Sequence, residues 1–463
     1  MNKFINRTKE LEALEKQYNL PSSSLVIIYG RRRVGKTSLI NEFLKSHQDS
    51  LYFLATEESE RQNLNYFKMQ VGNFIKNDLL KSASIDWMTT FKALIDYKTE
   101  TKKIIVFDEF QYIGKDNNAF PSIMQKIWDT FLSSSNIMLI LCGSLISLMK
   151  SQTLDYSSPL YGRRTAQIKL GQIPFKNYHE FFDVSPTLDL VPFYAVTGGI
   201  PKYINAFIGY KDIYKAIKEN ILSKESFLYE EPYFLLQKEV SEIGSYFSLI
   251  KSIAMGKHKL NEIAADLGLK QTGLTKYLKV LMDLDLIDRE VPITESAPQK
   301  SKKGLYRIKD NFIAFWFKFV YIYRSYLEKG EVDYVLSQIK KGFIQNYVSY
   351  IYEDVCREKM WELSSQNIWD FPIDKVGRYW GKETGEIDIV AIDTIGKNLI
   401  LGEAKYTKSP KGIEVLNKLK SKAEVMKKLT NTSNVYYIIF STSGYKEDLI
   451  KAVKEDKTIY LCS

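Results

Sequence analysis

Residues 30–37 read Gly30-Arg31-Arg32-Arg33-Val34-Gly35-Lys36-Thr37, the spacing of a loop built to hold phosphate. Glycines at both ends let backbone N–H groups turn inward around phosphate oxygens. Lys36 brings a cation to the β- and γ-phosphates, and Thr37 a hydroxyl for magnesium. Ser38 continues into a helix whose N-terminal end is positive. The whole stretch from Gly30 to Ser38 is therefore expected to line ATP with Mg2+. About 70 residues later, four apolar residues, Ile104–Phe107, end in Asp108 and Glu109. A buried strand there would deliver Asp108 to the magnesium shell and place Glu109 to orient or deprotonate water. A third apolar run, Leu139–Cys142, ends in Gly143 and Ser144; a small hydroxyl in that place also suits a helix N-cap.

A second constellation lies near the C-terminus: Gly385-Glu386-Ile387-Asp388, then Leu399 to Glu403-Ala404-Lys405. Alternation along each strand puts Asp388 on one strand and Glu403 and Lys405 on one face of the next. Two carboxylates converging there suit Mg2+ or Mn2+, which take oxygen ligands. Glu353, on a helix expected over 345–359, offers a third. Lys405 would orient the attacking water and stabilise the charged phosphorane, while the metal polarises the scissile phosphate. The same residues also fit a solvated strand with salt-bridged ends, or a site that holds nucleic acid without cutting it.

The elements that must position these groups follow from patterning. Up to about Leu170, short β-rich runs (SLVIIY, SLYFLA, KIIVFDE, NIMLILCGS) alternate with helical stretches, which predicts a mainly parallel sheet flanked by helices. Near Gln172 the chain turns to aromatic helical segments punctuated by Pro174, Pro186, Pro192 and Pro201. Residues 240–330 read as three helices, a basic turn-rich stretch and another helix. Within them Leu260–Gly268 and Gln271–Leu284 form a helix–turn–helix pattern with Leu274, Leu278 and Leu281 on one face. Its second helix would present Lys270, Gln271, Thr272, Thr275 and Lys276 to a DNA major groove. New strands follow in KVGRYWG, EIDIVAID, NLILGEAKY and NVYYIIFS.

Composition sets the outer bounds. With 463 residues the chain needs three or four domains, and 45% hydrophobic with 26% charged residues is ordinary for a folded protein. A net charge of +10 favours a polyanion partner such as DNA. Two basic clusters sharpen this, Lys300, Lys302, Lys303, Arg307, Lys309 and Lys405, Lys408, Lys411, Lys418, Lys420, Lys422. Three cysteines without ligand spacing argue against disulfides and zinc. The N-terminus lacks a signal-peptide core and Phe312–Tyr323 is too short for a membrane span, so a cytoplasmic protein without a membrane partner is expected.

The motifs together resemble the archaeal-type ATPase family, within the AAA/STAND-related P-loop group. The matching residues are Phe4-Ile5-Asn6-Arg7 with Glu10, Gly30–Thr37, Phe107–Gln111, Leu141–Ser144, Pro159–Arg164 and Thr197-Gly198-Gly199-Ile200-Pro201. That resemblance implies that residues around Arg7 lie against the adenine and that Ser144 senses the γ-phosphate. Arg163 or Arg164 would contact the γ-phosphate in the same chain or across a homo-oligomer interface, or serve as a surface ion-pair partner. Residues around 246–309 resemble a winged helix–turn–helix. Residues 340–463 resemble the PD-(D/E)xK nuclease-like fold, with Glu353, Asp388 and Glu403-Ala404-Lys405 on the motif positions and no proline before Asp388. The implied fold class is α/β multidomain. A RecA/AAA-like P-loop core occupies 1–171, a helical lid 172–235, a winged helix 236–332 and a restriction-endonuclease-like domain 333–463. The expected function is ATP hydrolysis coupled to DNA binding and metal-dependent cleavage. The other reading is a STAND-like switch whose distal domains are interaction modules.

Overall fold

The computed structural model of the protein describes residues 4–182 and 188–462, so Pro186 lies outside it. Five strands form the first sheet: β1 (Ser24–Tyr29), β2 (Ser50–Leu54), β3 (Lys103–Asp108), β4 (Ile137–Gly143) and β5 (Ala166–Lys169). All pair in parallel, in the order β2-β3-β4-β1-β5. β1, β3 and β4 are buried along their full length, which is why they read as unbroken apolar runs. β5, with sequence AQIK, carries no such run and escapes the pattern. Phe53, Phe67, Phe91, Phe107 and Trp87 form an aromatic cluster on one side of β3. Because β3, β4 and β1 are neighbours in register, Asp108, Gly143 and the loop after Tyr29 emerge along one edge, where open α/β sheets bind ligands.

The chain divides into two compact units. The first holds the sheet above together with the helix Pro201–Phe207 and residues Tyr233–Ile243. The second takes the helices Val191–Thr197 and Ile213–Asn220 and everything from Gly244 onward. The segment expected as one helical lid over 172–235 is thus shared between the two. The cause is local packing: Val191–Thr197 lies against the helix Asn311–Phe315, and the Tyr347 hydroxyl donates to the Ala195 carbonyl at 3.1 Å.

In the second unit, the helices Ile243–Ala254, Leu260–Asp266 and Gln271–Asp283 precede an antiparallel hairpin, β6 (Ile287–Glu290) with β7 (Leu305–Ile308). Ile250, Ile263, Leu274, Leu278 and Leu281 are buried between them. The remaining strands are β8 (Lys375–Gly381), β9 (Gly385–Asp393), β10 (Asn398–Lys405), β11 (Asn434–Ser441) and β12 (Ile459–Cys462), in the order β12-β11-β10-β9-β8. β8, β9 and β10 form an antiparallel meander. β10, β11 and β12 are parallel, joined through the helices Ile413–Thr430 and Glu447–Glu455, as parallel pairing requires. The helix Ser349–Ser365 packs on β8, β9 and β10.

Candidate functional site

The loop after β1 has the backbone its sequence demands. Gly35 has φ +96°, and a Cβ on Gly30 would fall 2.3 Å from the Leu170 carbonyl oxygen, so both positions need glycine. Lys36 begins a nine-residue helix, and its ammonium donates to the carbonyls of Gly30 at 2.8 Å and Arg31 at 2.9 Å. Burial lowers its pKa, while Glu109 and Asp108 pull the other way. Val34 is buried and Arg33, at φ +71°, sits over the Tyr203 ring. Arg32 donates to the Tyr112 hydroxyl at 2.6 Å. Ser38, the third residue of the helix, is exposed. Arg7 is 5% exposed and donates to the carbonyls of Val34 at 3.1 Å and Gly171 at 2.6 Å, bracing the loop.

The carboxylates sit beside this loop. Thr37 donates to Asp108 at 2.8 Å, and the Tyr52 hydroxyl reaches the same carboxylate oxygen at 2.5 Å. A hydroxyl and a carboxylate already in contact are hard oxygen donors of the type magnesium takes, so the residues fit the ion. Glu109, at φ +55°, turns its carboxylate toward Ser144 and Gln111. Ser144 donates to it from both its backbone, at 3.2 Å, and its hydroxyl, at 2.8 Å. Gln111 adds a 2.5 Å bond to the same oxygen. Ser144 is not a helix cap, because the N-cap of the helix Ile146–Met149 is Leu145.

Neither arginine of the Pro159–Arg164 stretch is brought to the loop. Arg163 makes a two-pronged pair with Asp129, both bonds 2.7 Å, and also donates to the Pro159 carbonyl. Arg164 donates to the Tyr161 carbonyl and lies 4.8 Å over the Tyr161 ring.

In the second unit, Asp388 and Glu403 converge on Lys405, whose ammonium is 3.6 Å from the first and 2.6 Å from the second. Burial works against that ammonium, but the two carboxylates prevail and its pKa stands above the ordinary value. Asp388 also accepts the Ala404 N–H at 3.1 Å. Glu353, on the helix behind, stands 3.8 Å from Arg357; burial, with repulsion from Asp388, lifts its pKa to about 7. The expected metal trio is brought together in part: Asp388 and Glu403 share Lys405, and Glu353 faces Asp388 from the helix. Among the described residues no three of His, Cys, Asp and Glu stand close enough to hold a metal ion. Arg357 holds one carboxylate and Lys405 the other two, so the site is a carboxylate pair closed on a lysine. Lys422 is drawn in as well: it is 8% exposed and donates to the Glu386 carbonyl.

On the helix–turn–helix, Lys270, Gln271, Thr272, Thr275 and Lys276 are all exposed at the start of Gln271–Asp283. Arg307 departs from the expected basic surface. It is turned into the fold, pairing with Glu290 at 2.9 Å and Asp354 at 2.6 Å.

Four residues near the first site were not assigned from sequence: Tyr52, Gln111, Tyr112 and Glu239. Tyr52 had a signal, since β2 lies beside β3 and Tyr52 pairs with Val106, two residues before Asp108. Gln111 and Tyr112 follow the acidic pair directly. Glu239 had none, because only the fold brings it near the loop.

Residues 4–207 match the family described as an ATPase domain predominantly from Archaea. Residues 316–427 match a family described as archaeal and bacterial proteins of unknown function. The chain belongs to the family of an uncharacterised protein of Methanocaldococcus jannaschii, MJECL04, with which it is 37% identical over 407 residues, 87% of either chain. It is also 56% identical over 43 residues, 9% of this chain and 73% of the relative, to an uncharacterised ATP-binding protein of the same organism. Among solved structures, a Walker-type ATPase of Pyrococcus abyssi superposes with a TM-score of 0.53 at 20% identity, over 68% of this chain and 96% of that one. That likeness speaks for the fold. No helix among the described residues is long and apolar enough to cross a membrane.

Proposed function

We propose that the chain is a magnesium-dependent ATP hydrolase whose nucleotide state governs its engagement of DNA. The hydrolase reading is carried by one observation: Thr37, Asp108 and Glu109 gather at the mouth of a single phosphate loop, with Glu109 held by Ser144 and Gln111. In this reading Lys36 leaves the Gly30 and Arg31 carbonyls for the β- and γ-phosphates, and loop N–H groups surround them. Glu109 takes the proton of the attacking water. Thr37 and Asp108 would hold Mg2+, which supplies neutralisation of the phosphate charge. The ATP-binding relative supports adenine nucleotide as the ligand. Of Arg163 and Arg164, the second is left out of the Asp129 ion pair and would be the one to contact the γ-phosphate, in a neighbouring copy if the chain is a homo-oligomer. The test is calorimetric titration with Mg-ATP alongside phosphate release; absence of both would refute the reading.

The DNA half of the reading rests on the exposed polar start of Gln271–Asp283 ahead of the β6–β7 hairpin, which resembles a winged helix, and on the Asp388, Glu403 and Lys405 cluster, which resembles a PD-(D/E)xK site. Asp388 and Glu403 would hold Mg2+ or Mn2+ there, and Lys405 would orient water at a phosphodiester. A specific observation favours the second reading, a regulatory switch without cleavage: Arg307 and Lys422, two members of the expected basic clusters, are engaged inside the fold. Cleavage assays on branched, single-stranded and duplex DNA, with and without ATP, separate the two.

A further inference from the structure

Arg32 is the third residue of the phosphate loop, half-buried, and its guanidinium donates to the Tyr112 hydroxyl at 2.6 Å. Among the described residues no carboxylate pairs with it, and its hydrogen-bond acceptor is a neutral phenol. Two other arginines of the same unit differ: Arg163 is closed on Asp129, and Arg7 stands 3.4 Å from Glu10. A half-buried charge without a counter-ion is costly to keep, and it suits a place where an anion arrives.

The direction of Arg32 is set by its partner. Tyr112 is 9% exposed and lies on the helix Gln111–Asp116, which follows β3. The Tyr112 backbone N–H donates to the Glu109 carbonyl at 3.0 Å, and the preceding Gln111 holds the Glu109 carboxylate. One tyrosine therefore ties the loop arginine to the residue given to the attacking water. Arg33, the next residue of the loop, goes elsewhere, over the ring of Tyr203 on the helix Pro201–Phe207. Arg32 thus leans toward the end of β3, where Thr37 and Asp108 meet and where the terminal phosphate of ATP would lie. A guanidinium presents a planar fork of donors that fits phosphate oxygens, and the phenol orients it without neutralising it.

We propose that Arg32 is a catalytic arginine for the γ-phosphate within its own chain, and that Tyr112 is its positioning residue. This rests on the ATP-binding reading above. As the water oxygen bonds to the γ-phosphorus, its proton passes to Glu109, and the bond to the bridging oxygen breaks, leaving that electron pair on ADP. Arg32 stabilises the charge on the terminal phosphate oxygens through this exchange. ADP lacks those oxygens, so the same contact distinguishes triphosphate from diphosphate.

The test uses the full chain as wild type, Arg32→Ala, Arg32→Lys, Tyr112→Phe and the double variant Arg32→Ala with Tyr112→Phe. Calorimetry gives affinities for Mg-ATP and Mg-ADP, and single-turnover phosphate release gives the rate. Arg32→Ala should slow release about 100–1000-fold and weaken Mg-ATP about tenfold, with Mg-ADP changed less than about twofold. Arg32→Lys keeps the charge without the fork, and should recover ATP affinity but not the rate. Tyr112→Phe should slow release about tenfold, and the double variant should be no slower than Arg32→Ala alone. Mixing Arg32→Ala with Lys36→Ala should restore nothing, since neither chain then has both groups in one site. Equal loss of ATP and ADP affinity in Arg32→Ala overturns the proposal. So does a double variant slower by the full Tyr112→Phe factor, or activity restored by mixing. Absence of Mg-ATP binding by wild type overturns the nucleotide reading and this proposal with it.

Discussion

The hydroxyl of Ser144, at the end of β4, donates a 2.8 Å hydrogen bond to the carboxylate of Glu109, at the end of β3. Two neighbouring strands thus share one polar contact at the edge where the phosphate loop emerges, and the carboxylate given to the attacking water is already oriented. Ser144→Ala should lower kcat about 10–100-fold with little change in KM, because the water is still bound but its base is no longer aimed. A rise in KM with kcat unchanged would instead place Ser144 in ATP binding.

Lys36→Ala should abolish turnover and ATP affinity together. Glu109→Gln keeps the shape of the side chain and its contact with Gln111, so it should spare binding and slow hydrolysis by about 100-fold or more. Filter binding and steady-state phosphate release, run on the same preparations, separate the two effects. Equal turnover in Glu109→Gln and wild type would remove Glu109 from the mechanism.

The Arg7 guanidinium spans the Val34 and Gly171 carbonyls from a buried position. Arg7→Ala leaves those acceptors without a charged donor and should cost about 2–3 kcal/mol in stability, measured by denaturant unfolding of the chain. ATP affinity should fall in parallel, since the loop loses its brace. Loss of affinity without loss of stability would return Arg7 to the adenine.

Much of this was legible in the chain and some was not, for physical reasons. β1, β3 and β4 announce themselves because both faces are buried, and the phosphate loop because its backbone admits few residue types. β5 and β12, four residues each, are too short for periodicity to speak. Alternation placed Asp388, Glu403 and Lys405 on adjacent strands. It could not tell that Arg357 and Lys405 would engage the carboxylates, because ion pairing depends on distances that spacing does not carry. The helices around 190–235 read correctly as helices, but their partners lie far along the chain, at Asn311 and Tyr347, beyond any local pattern.

Asp288, on β6, has a buried carboxylate oxygen without a hydrogen-bond partner, and burial raises its pKa to about 6, above the ordinary carboxylate range. A carboxyl raised in the folded state leaves stability unchanged below about pH 4, where both states are protonated. The charge then destabilises the fold progressively up to about pH 6 and fully above it. Asp288→Asn should therefore stabilise the protein by up to about 3 kcal/mol at pH 8 and by almost nothing at pH 3.5. Urea midpoints at the two pH values check this, and an equal gain at both would assign the effect to packing.

Plasmid nicking in Mn2+ by wild type, Glu403→Ala and Lys405→Ala tests the carboxylate–lysine cluster. Loss of roughly 100-fold or more in both variants is expected if the cluster cuts phosphodiesters. Cutting by the variants at the wild-type rate would leave the cluster as a structural ion pair and favour the switch.

The bonds that take Arg307 off the surface also limit how this chain can be dissected. Arg307 on β7 pairs with Asp354, Asp354 with Arg357, and Arg357 donates to the Asp388 carbonyl at 2.7 Å. Glu290 on β6 approaches Arg378 on β8, and Ile293 donates its N–H to the Arg378 carbonyl at 3.1 Å. Expressing the C-terminal sheet without the hairpin would remove one of the two arginines that pair with the 38% exposed Asp354 side chain, together with the backbone bond from Ile293, and should lower its stability. If the hairpin does grip DNA, as proposed above, the polymer would be held at a fixed offset from the lysine-closed carboxylates, as on a ruler whose two marks are cast in one piece.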